Sequence, residues 1–354
     1  MKSNYRYIVK AFMAMAVIAG TTSCDDFLDR EPMSSISPET YYSTAAQLEA
    51  NLNDEYPNVL PSFGQWTYGI FGEDKGTDNQ IEVNANDRYT QDRWKVPHSE
   101  SDNWKFERIY RINFFLSEAL PKFGEDMSGS QNTISGSVAT IKHYIGEMYF
   151  LRAYEYFKKL QLFGDFPIID QPLADEMEAL REASKRFPRN EVARFIISDL
   201  DKAYAYMSDV DMATTRINKD AAMLVKSRVA LFEATWLQNF KGTAFVPGGE
   251  GWPGASLHNN YQYPSGNLDN EVKYFLEQAV EASKLVADKY KGNLTENTGV
   301  LQQSADDPSN PYFDMFAQED LSDVKEVLLW RQYARGLSTH NLSLIHISEP
   351  TRPY

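Results

Sequence analysis

The sequence predicts an all-α protein built from tetratricopeptide-like helix pairs, with long irregular loops between some of the helices. Apolar residues recur at the i, i+3, i+4 spacing of a helix in several long segments of the 354-residue chain. Residues that commonly cap helices precede these segments, and Gly or Pro follows several of them. Because no comparable alternating pattern indicates a strand, we expect helices stacked in successive antiparallel pairs.

The first two helices are predicted in the first third of the chain. Thr44 and Gln47 have the spacing of a capping box, which predicts a helix from residue 45 to about residue 55. A second apolar row begins at Trp104 and continues to Leu120. Because proline disrupts a helix interior, we expect this helix to end at Pro121.

Residues 141–161 are apolar nearly all round, which indicates a helix buried at the centre of the fold. Gly164 and Pro167 follow, as a C-cap and a helix stop. Arg152 lies inside this helix, and we expect a structural role for it because a buried guanidinium must be paired. Four acids could supply the carboxylate: Glu147, Glu155, Asp165 and Asp199. We also expect Asp165 to cap the turn after Gly164.

Three further helices are predicted in the second half of the chain, with starts at Asn190, Asn218 and Asp269. Residues 57–101, 242–266 and 290–316 break the helical pattern. Loops of this length inside a compact helical domain are usually functional.

The N-terminus has the three parts of a secretion signal. Residues 1–23 carry Lys2, Arg6 and Lys10 without an acid, then nine apolar residues, then small residues up to Cys24. Nine apolar residues are too few to span a bilayer, which needs about 20. Cys24 is the only cysteine of the chain, so a disulfide is excluded and we expect it to be acylated. Thr21 departs from the usual lipobox, which has Leu there.

The charge of the chain argues against a nucleic-acid partner. The formal net charge is −15, and it becomes more negative once the three basic residues of the signal are removed. Such a surface repels phosphate backbones.

No residue pattern indicates catalysis. The five histidines have no metal-ligand spacing, and the sequence has neither a glycine-rich phosphate loop nor a nucleophile elbow. Asp74 with Asp78, or Asp306 with Asp307, could bind Ca²⁺, but the complete loop pattern is absent. We therefore expect no cofactor, no metal and no enzymatic activity.

Taken together, five segments resemble the SusD/RagB family of outer-membrane glycan-binding lipoproteins. Their order and spacing over residues 24–335 carry the resemblance more than any single motif does. The strongest is residues 146–157 (GEMYFLRAYEYF) followed by residues 163–167 (FGDFP). The others are residues 24–32 (CDDFLDREP), 104–113, 189–200 and 216–230.

The resemblance implies a tetratricopeptide-like scaffold that carries a glycan site built from loops. It also implies lipid anchoring to the outer membrane of a Gram-negative bacterium, and the acids after Cys24 resemble an export signal for the outward face. The implied partner is a SusC-type TonB-dependent barrel, which receives the captured oligosaccharide or polysaccharide. No catalysis is implied.

Glycan binding needs aromatic rings that stack on sugar C–H faces and polar groups that bind the hydroxyls. Two predicted loops contain both. The first loop gives the candidates Trp66, Asp78, Arg88 and Trp94, and the second gives Trp252 and Tyr261. The other interpretation of each tryptophan is that it packs its loop onto the core.

Two other functions remain open from the sequence. A helical-repeat scaffold, or a peptide-binding lipoprotein of the same transporter class, would use the aromatic residues at a protein interface. A glycoside hydrolase would need two carboxylates flanking a bond, and 50 acids are too many to exclude one by counting.

The expected domain order is a lipoprotein signal at residues 1–23, a SusD-like helical domain at 24–342 and an unrelated tail at 343–354. The tail resembles a translated adapter sequence, so we expect the family's C-terminal part to be missing here.

Overall fold

The computed structural model describes residues 41–61, 103–124, 126–208, 212–301, 306–316 and 318–333. These residues form helices joined by loops and contain no β-sheet, with only isolated bridges at Thr44–Ser135 and Phe166–Phe187. The all-α prediction is thereby confirmed. In chain order, the helices are α1 (Ala45–Val59), α2 (Glu107–Phe123), α3 (Val138–Phe163), α4 (Met177–Ala183), α5 (Arg189–Tyr206), α6 (Lys219–Asn239), the 3-10 helix Pro253–Ser256, α7 (Leu268–Tyr290) and α8 (Pro311–Phe316).

Helix α3 lies at the centre of the fold. It contacts α1, α2 and α5, while α5 contacts α6 and α6 contacts α7. As predicted, α3 is buried on nearly every side, because its apolar residues do not form a single stripe. Fully burying one large apolar side chain stabilises a fold by about 1.5–3 kcal/mol. The fully buried large residues of α3 include Ile141, Ile145, Phe150 and Tyr156.

Three predicted helix ends are confirmed. The Thr44 hydroxyl accepts a hydrogen bond from the Gln47 N–H (3.3 Å), and the Gln47 side chain accepts one from the Thr44 N–H (3.1 Å), which completes the capping box of α1. The Asn218 side chain accepts from the Ala221 N–H at the start of α6 (3.0 Å). Gly164 ends α3 with φ 68°, a conformation that glycine adopts at little cost.

Two predicted ends are wrong, and α7 begins slightly earlier than expected. Helix α2 passes through Pro121, where it loses the one backbone hydrogen bond that an N–H would donate, and it continues only to Phe123, with Gly124 as the C-cap. Asn190 does not cap α5, which begins one residue earlier, after Pro188. Its side chain is instead buried against the Tyr261 hydroxyl and Glu271. Asn267 caps α7.

Arg152 is paired inside the protein. Its side chain is 3% exposed and donates to both carboxylate oxygens of Asp199, from Nε at 2.6 Å and from Nη2 at 2.8 Å. Nη1 donates to the Asn113 side-chain oxygen (2.9 Å) and to the Asp170 carbonyl (3.0 Å). Of the four acids that could have paired with it, Asp199 does so. The arginine therefore joins α2, α3, α5 and the segment after α3.

Glu147 has a different partner. It accepts hydrogen bonds from Arg216 at 2.9 and 2.7 Å and from the Tyr56 hydroxyl at 2.8 Å. Helix α1 is thereby joined to α3 and to the segment that leads into α6.

We expect Arg152→Met to lower the free energy of unfolding by about 3–5 kcal/mol, because it leaves the fully buried Asp199 carboxylate without its cation. Urea unfolding followed by circular dichroism measures this. Arg181→Met is the matched control. It breaks an exposed pair with Glu178, so a loss below about 1 kcal/mol is expected. Equal losses in the two variants would contradict the assignment.

Candidate functional site

The turn after α3 joins three parts of the chain through one carboxylate. Asp165 Oδ1 accepts a hydrogen bond from the Arg189 backbone N–H (2.9 Å), and Oδ2 accepts one from Trp252 Nε1 (2.8 Å). Asp165 therefore caps the first N–H of α5 and also holds the loop between α6 and α7. Burial raises the pKa of Asp165, although the two donated hydrogen bonds act in the opposite direction.

Aromatic rings hold this turn in place. Trp104 contacts Phe163 and Phe166 edge-on, each with ring centroids 4.9 Å apart. Phe106 stacks on Phe166 with centroids 5.2 Å apart. Aromatic pairs in these geometries stabilise by about 0.5–1.5 kcal/mol beyond their buried area. The turn is therefore a rigid support for its surroundings.

A cavity of about 540 Å³ opens beside the turn, within the range of about 300–1,000 Å³ typical of small-molecule sites. We call it the Asp165 pocket. It lies between the end of α3, the start of α5, the end of α6 and the following loop. Its lining residues are Gln161, Leu162, Phe163, Gly164, Asp165, Arg186, Arg189, Trp236, Ala244, Phe245, Trp252, Pro253, Gly254 and Leu257.

Arg189 and Trp236 form one wall of the Asp165 pocket. Arg189 donates to the fully buried Glu233 from Nε (3.0 Å) and Nη2 (2.9 Å). Its guanidinium carbon lies 4.0 Å from the centroid of the Trp236 ring, in a cation–π contact. Burial raises the pKa of Glu233, and Arg189 opposes that rise. Trp236 Nε1 donates to the Phe245 carbonyl (3.0 Å).

The rim of the Asp165 pocket is apolar and open to solvent. Leu162 is 58% exposed, Phe245 62% and Leu257 54%. Side chains of this kind can cover the C–H face of a sugar ring or another apolar ligand surface. The rim is therefore the accessible part of the site.

Trp252 and Tyr261, the two predicted site residues of the second loop, lie side by side with ring centroids 5.6 Å apart. Trp252 is only 5% exposed, so it presents little ring surface to a ligand. The Tyr261 hydroxyl donates to the Asn190 side-chain oxygen (3.1 Å) and accepts from its amide (2.9 Å). Burial raises the pKa of Tyr261 well above its ordinary value. Both residues hold the loop on the helices, and only Trp252 lines the pocket.

The other predicted positions lie outside the described residues. These are Cys24 and the first-loop candidates Trp66, Asp78, Arg88 and Trp94. Their roles stay predictions.

Sequence reasoning missed Arg186, Arg189, Trp236 and Phe245. A signal for the aromatic residues was present, because Phe232, Trp236 and Phe240 form an i, i+4 row that runs off the end of α6 towards Gly242. Such a row beside a glycine-rich loop indicates an aromatic surface that extends from the end of the helix into the loop. The arginines gave no comparable signal, because Arg186 lies in the segment before α5, Arg189 is the first residue of α5, and neither belongs to an aromatic row.

A second cavity, of about 780 Å³, lies between α1, α3, α6 and residues 326–332. Its lining includes Tyr154 and Arg228. Trp330 fixes the covering segment by donating to Thr214 through its backbone N–H (3.1 Å to the carbonyl) and its Nε1 (2.8 Å to the hydroxyl). No predicted site residue lines this cavity.

Within the parts of the chain that the structure describes, no three His, Cys, Asp or Glu side chains are grouped so that they could hold a metal ion. A search of the same residues finds no helix with the length and apolar character of a membrane span.

The family model described as "starch-binding associating with outer membrane", a SusD-like family, matches residues 26–231. The chain therefore belongs to the SusD-like carbohydrate-binding family. The prediction of a SusD/RagB protein is confirmed.

Two curated relatives come from Formosa agariphila. SusD-like protein P2 is 25% identical over 253 residues, which cover 68% of this chain and 46% of the relative. SusD-like protein P25 is 25% identical over 233 residues, covering 60% of this chain and 41% of the relative. The chain thus spans less than half the length of either relative.

Solved structures of two SusD-like proteins from Bacteroides fragilis are also similar to this chain. One is 22% identical with a TM-score of 0.41, and the match covers 60% of this chain and 40% of that protein. The other, a SusD-like carbohydrate-binding protein, is 15% identical with a TM-score of 0.42, and the match covers 73% of this chain and 42% of that protein.

We expect Trp252→Phe to lower the free energy of unfolding by about 1–3 kcal/mol, because it removes the N–H bound to the partly buried Asp165 carboxylate. Chemical denaturation measures the loss. Trp236→Phe is the matched control, because its N–H binds an exposed carbonyl, which water can satisfy. If both variants lose the same stability, Asp165 does not depend on the tryptophan.

Proposed function

We propose that the protein is a cell-surface lipoprotein that captures an oligosaccharide or polysaccharide and delivers it to a SusC-type TonB-dependent transporter. The match of residues 26–231 to the SusD-like family carries this proposal. The Asp165 pocket supports it, because it combines a rigid aromatic base with an exposed apolar rim.

The anchoring part of the proposal rests on the N-terminus. Cys24 follows a basic and then an apolar segment, as the acylated cysteine of a lipoprotein does. Each buried CH₂ group of an acyl chain contributes about 0.8 kcal/mol, and two or more chains give stable anchoring. The protein would then be fixed to the outer membrane, facing outward, beside its transporter.

The protein has no catalytic role in this proposal. The protein binds the glycan, and the SusC-type transporter carries the glycan across the outer membrane. The first loop supplies further glycan contacts through Trp66, Asp78, Arg88 and Trp94. Its sequence places aromatic residues close to polar ones, as glycan binding requires.

We expect Cys24→Ala to abolish lipid labelling and to move the protein out of the membrane fraction. The measurement is incorporation of labelled palmitate, followed by fractionation, in a Gram-negative host that processes lipoproteins. Ser23→Ala is the control, because it keeps a small residue before the cysteine, and its labelling should match that of the unchanged protein. Membrane retention of an unlabelled Cys24→Ala protein would contradict anchoring at this residue.

We expect at least one polysaccharide in a panel to slow the protein in affinity gel electrophoresis. Trp94→Ala should weaken this retention about five-fold or more, because stacking of one ligand ring on an aromatic side chain is worth about 1–3 kcal/mol. Tyr110→Ala, which removes an aromatic side chain 51% exposed on α2, is the control and should leave retention unchanged.

The same panel separates the alternatives. No retention by any polysaccharide would favour a protein- or peptide-binding scaffold. Sustained release of reducing sugar would show a glycoside hydrolase and overturn the non-catalytic role.

A further inference from the structure

Some polar groups of the Asp165 pocket already have hydrogen-bond partners within the protein, and others have none among the residues that the structure describes. Four of its lining residues have polar side chains: Gln161, Asp165, Arg186 and Arg189. Asp165 already accepts an N–H at each oxygen. Arg189 gives Nε and Nη2 to Glu233 and lies against the Trp236 ring. Most of this guanidinium is therefore committed to the protein, and the Asp165 carboxylate keeps only part of its acceptor capacity.

Both indole N–H groups of the pocket are committed as well. Trp252 donates to Asp165, and Trp236 donates to the Phe245 carbonyl. A ligand entering the pocket would find neither available.

Arg186 is the lining cation left available. Its guanidinium carbon lies 4.6 Å from the centroid of the Trp104 ring, which orients the group. Across the described part of the chain, no carboxylate lies within ion-pairing distance of it, whereas the neighbouring Lys185 is paired with Glu182. The side chain is exposed at the pocket. Arg186 therefore offers a fork of N–H donors to whatever occupies the cavity.

The exposed guanidinium of Arg186 beside the apolar rim indicates the ligand class. The hydroxyls of a neutral sugar both donate and accept, so they gain no special advantage from a group that only donates, such as the Arg186 guanidinium. A carboxylate only accepts, and it matches the planar guanidinium in a two-point contact. The exposed Phe245 and Leu162 can cover the C–H face of the same sugar ring.

We propose that the Asp165 pocket binds a carboxylate-bearing sugar, a uronic acid residue, with its carboxylate on Arg186 and its ring against Phe245 and Leu162. This inference rests on the proposed glycan-binding function and narrows its substrate class. It assigns Arg186 as the residue that selects acidic over neutral sugars at this site.

The test compares two trisaccharides by isothermal titration calorimetry: trigalacturonate at neutral pH, and the same trisaccharide with its carboxyl groups reduced to alcohols. We expect trigalacturonate to bind about ten-fold more tightly, the effect of one hydrogen bond to a charged group. Arg186→Gln should remove this preference. Lys185→Gln, which removes a neighbouring cation already paired with Glu182, should keep it.

A second variant tests the apolar contact. Phe245→Ala should weaken binding of both trisaccharides while the preference for the acid remains. Arg186 and Phe245 are both exposed, so neither change removes a buried contact, and matching circular dichroism spectra would show that the fold is retained.

Equal affinity for the two trisaccharides, or a preference that survives Arg186→Gln, would overturn the inference and leave the proposed function standing. Binding of neither trisaccharide would also overturn it, whereas the polysaccharide panel judges the proposed function separately. A preference lost equally in Lys185→Gln would show a general charge effect and would likewise overturn the role of Arg186.

Discussion

The pair between Arg152 and Asp199 is the contact on which the helical scaffold depends. Both groups are buried in the centre of an apolar helix stack, and an unpaired charge there would cost several kcal/mol. The fork of the guanidinium fits the carboxylate in one orientation. Its Nη1 group then donates to the Asn113 side-chain oxygen and to the Asp170 carbonyl. The relative positions of α2, α3 and α5 are consequently fixed by polar geometry as well as by apolar packing.

Arginine–carboxylate pairs also join the helices farther from the centre of the fold. Arg189 and Glu233 join α5 to α6, and Arg194 and Glu271 join α5 to α7. Burial raises the pKa of Glu233, whereas hydrogen bonds from Arg194, Asn190 and Ser265 hold the pKa of Glu271 below its ordinary value. A bidentate ion pair is directional, so it adds a constraint on orientation to the apolar packing of the helices. Each of these pairs therefore adds a directional polar contact to the packing of two helices.

The sequence predicted the helices better than it predicted their contacts. Periodicity and side-chain caps located α1, α3 and α6, because both signals are local. The prediction that Asn190 caps α5 was wrong, because its side chain is buried and bonded to Tyr261 and Glu271 instead. Four acids were equally plausible partners for Arg152, because the choice depends on which helix lies opposite.

The candidate site was harder to predict. Trp252 was identified as a loop aromatic, but its contact with Asp165 joins positions 87 residues apart. Arg186 was singled out because no carboxylate in the described part of the chain pairs with it, and no local sequence pattern predicts that. Aromatic content can indicate a binding surface, whereas the balance of free donors and acceptors is a property of the folded wall.

The loop between α6 and α7 is held at a few points by its aromatic residues. Trp252 is bound to Asp165, Tyr261 to Asn190, and the Tyr263 hydroxyl donates to the Pro247 carbonyl (2.6 Å). The side chains of Phe245 and Leu257 are exposed and contribute little to this attachment. Homologous proteins could therefore differ in the rim residues of the pocket, and so in ligand preference, without losing the contacts that attach the loop to the helices.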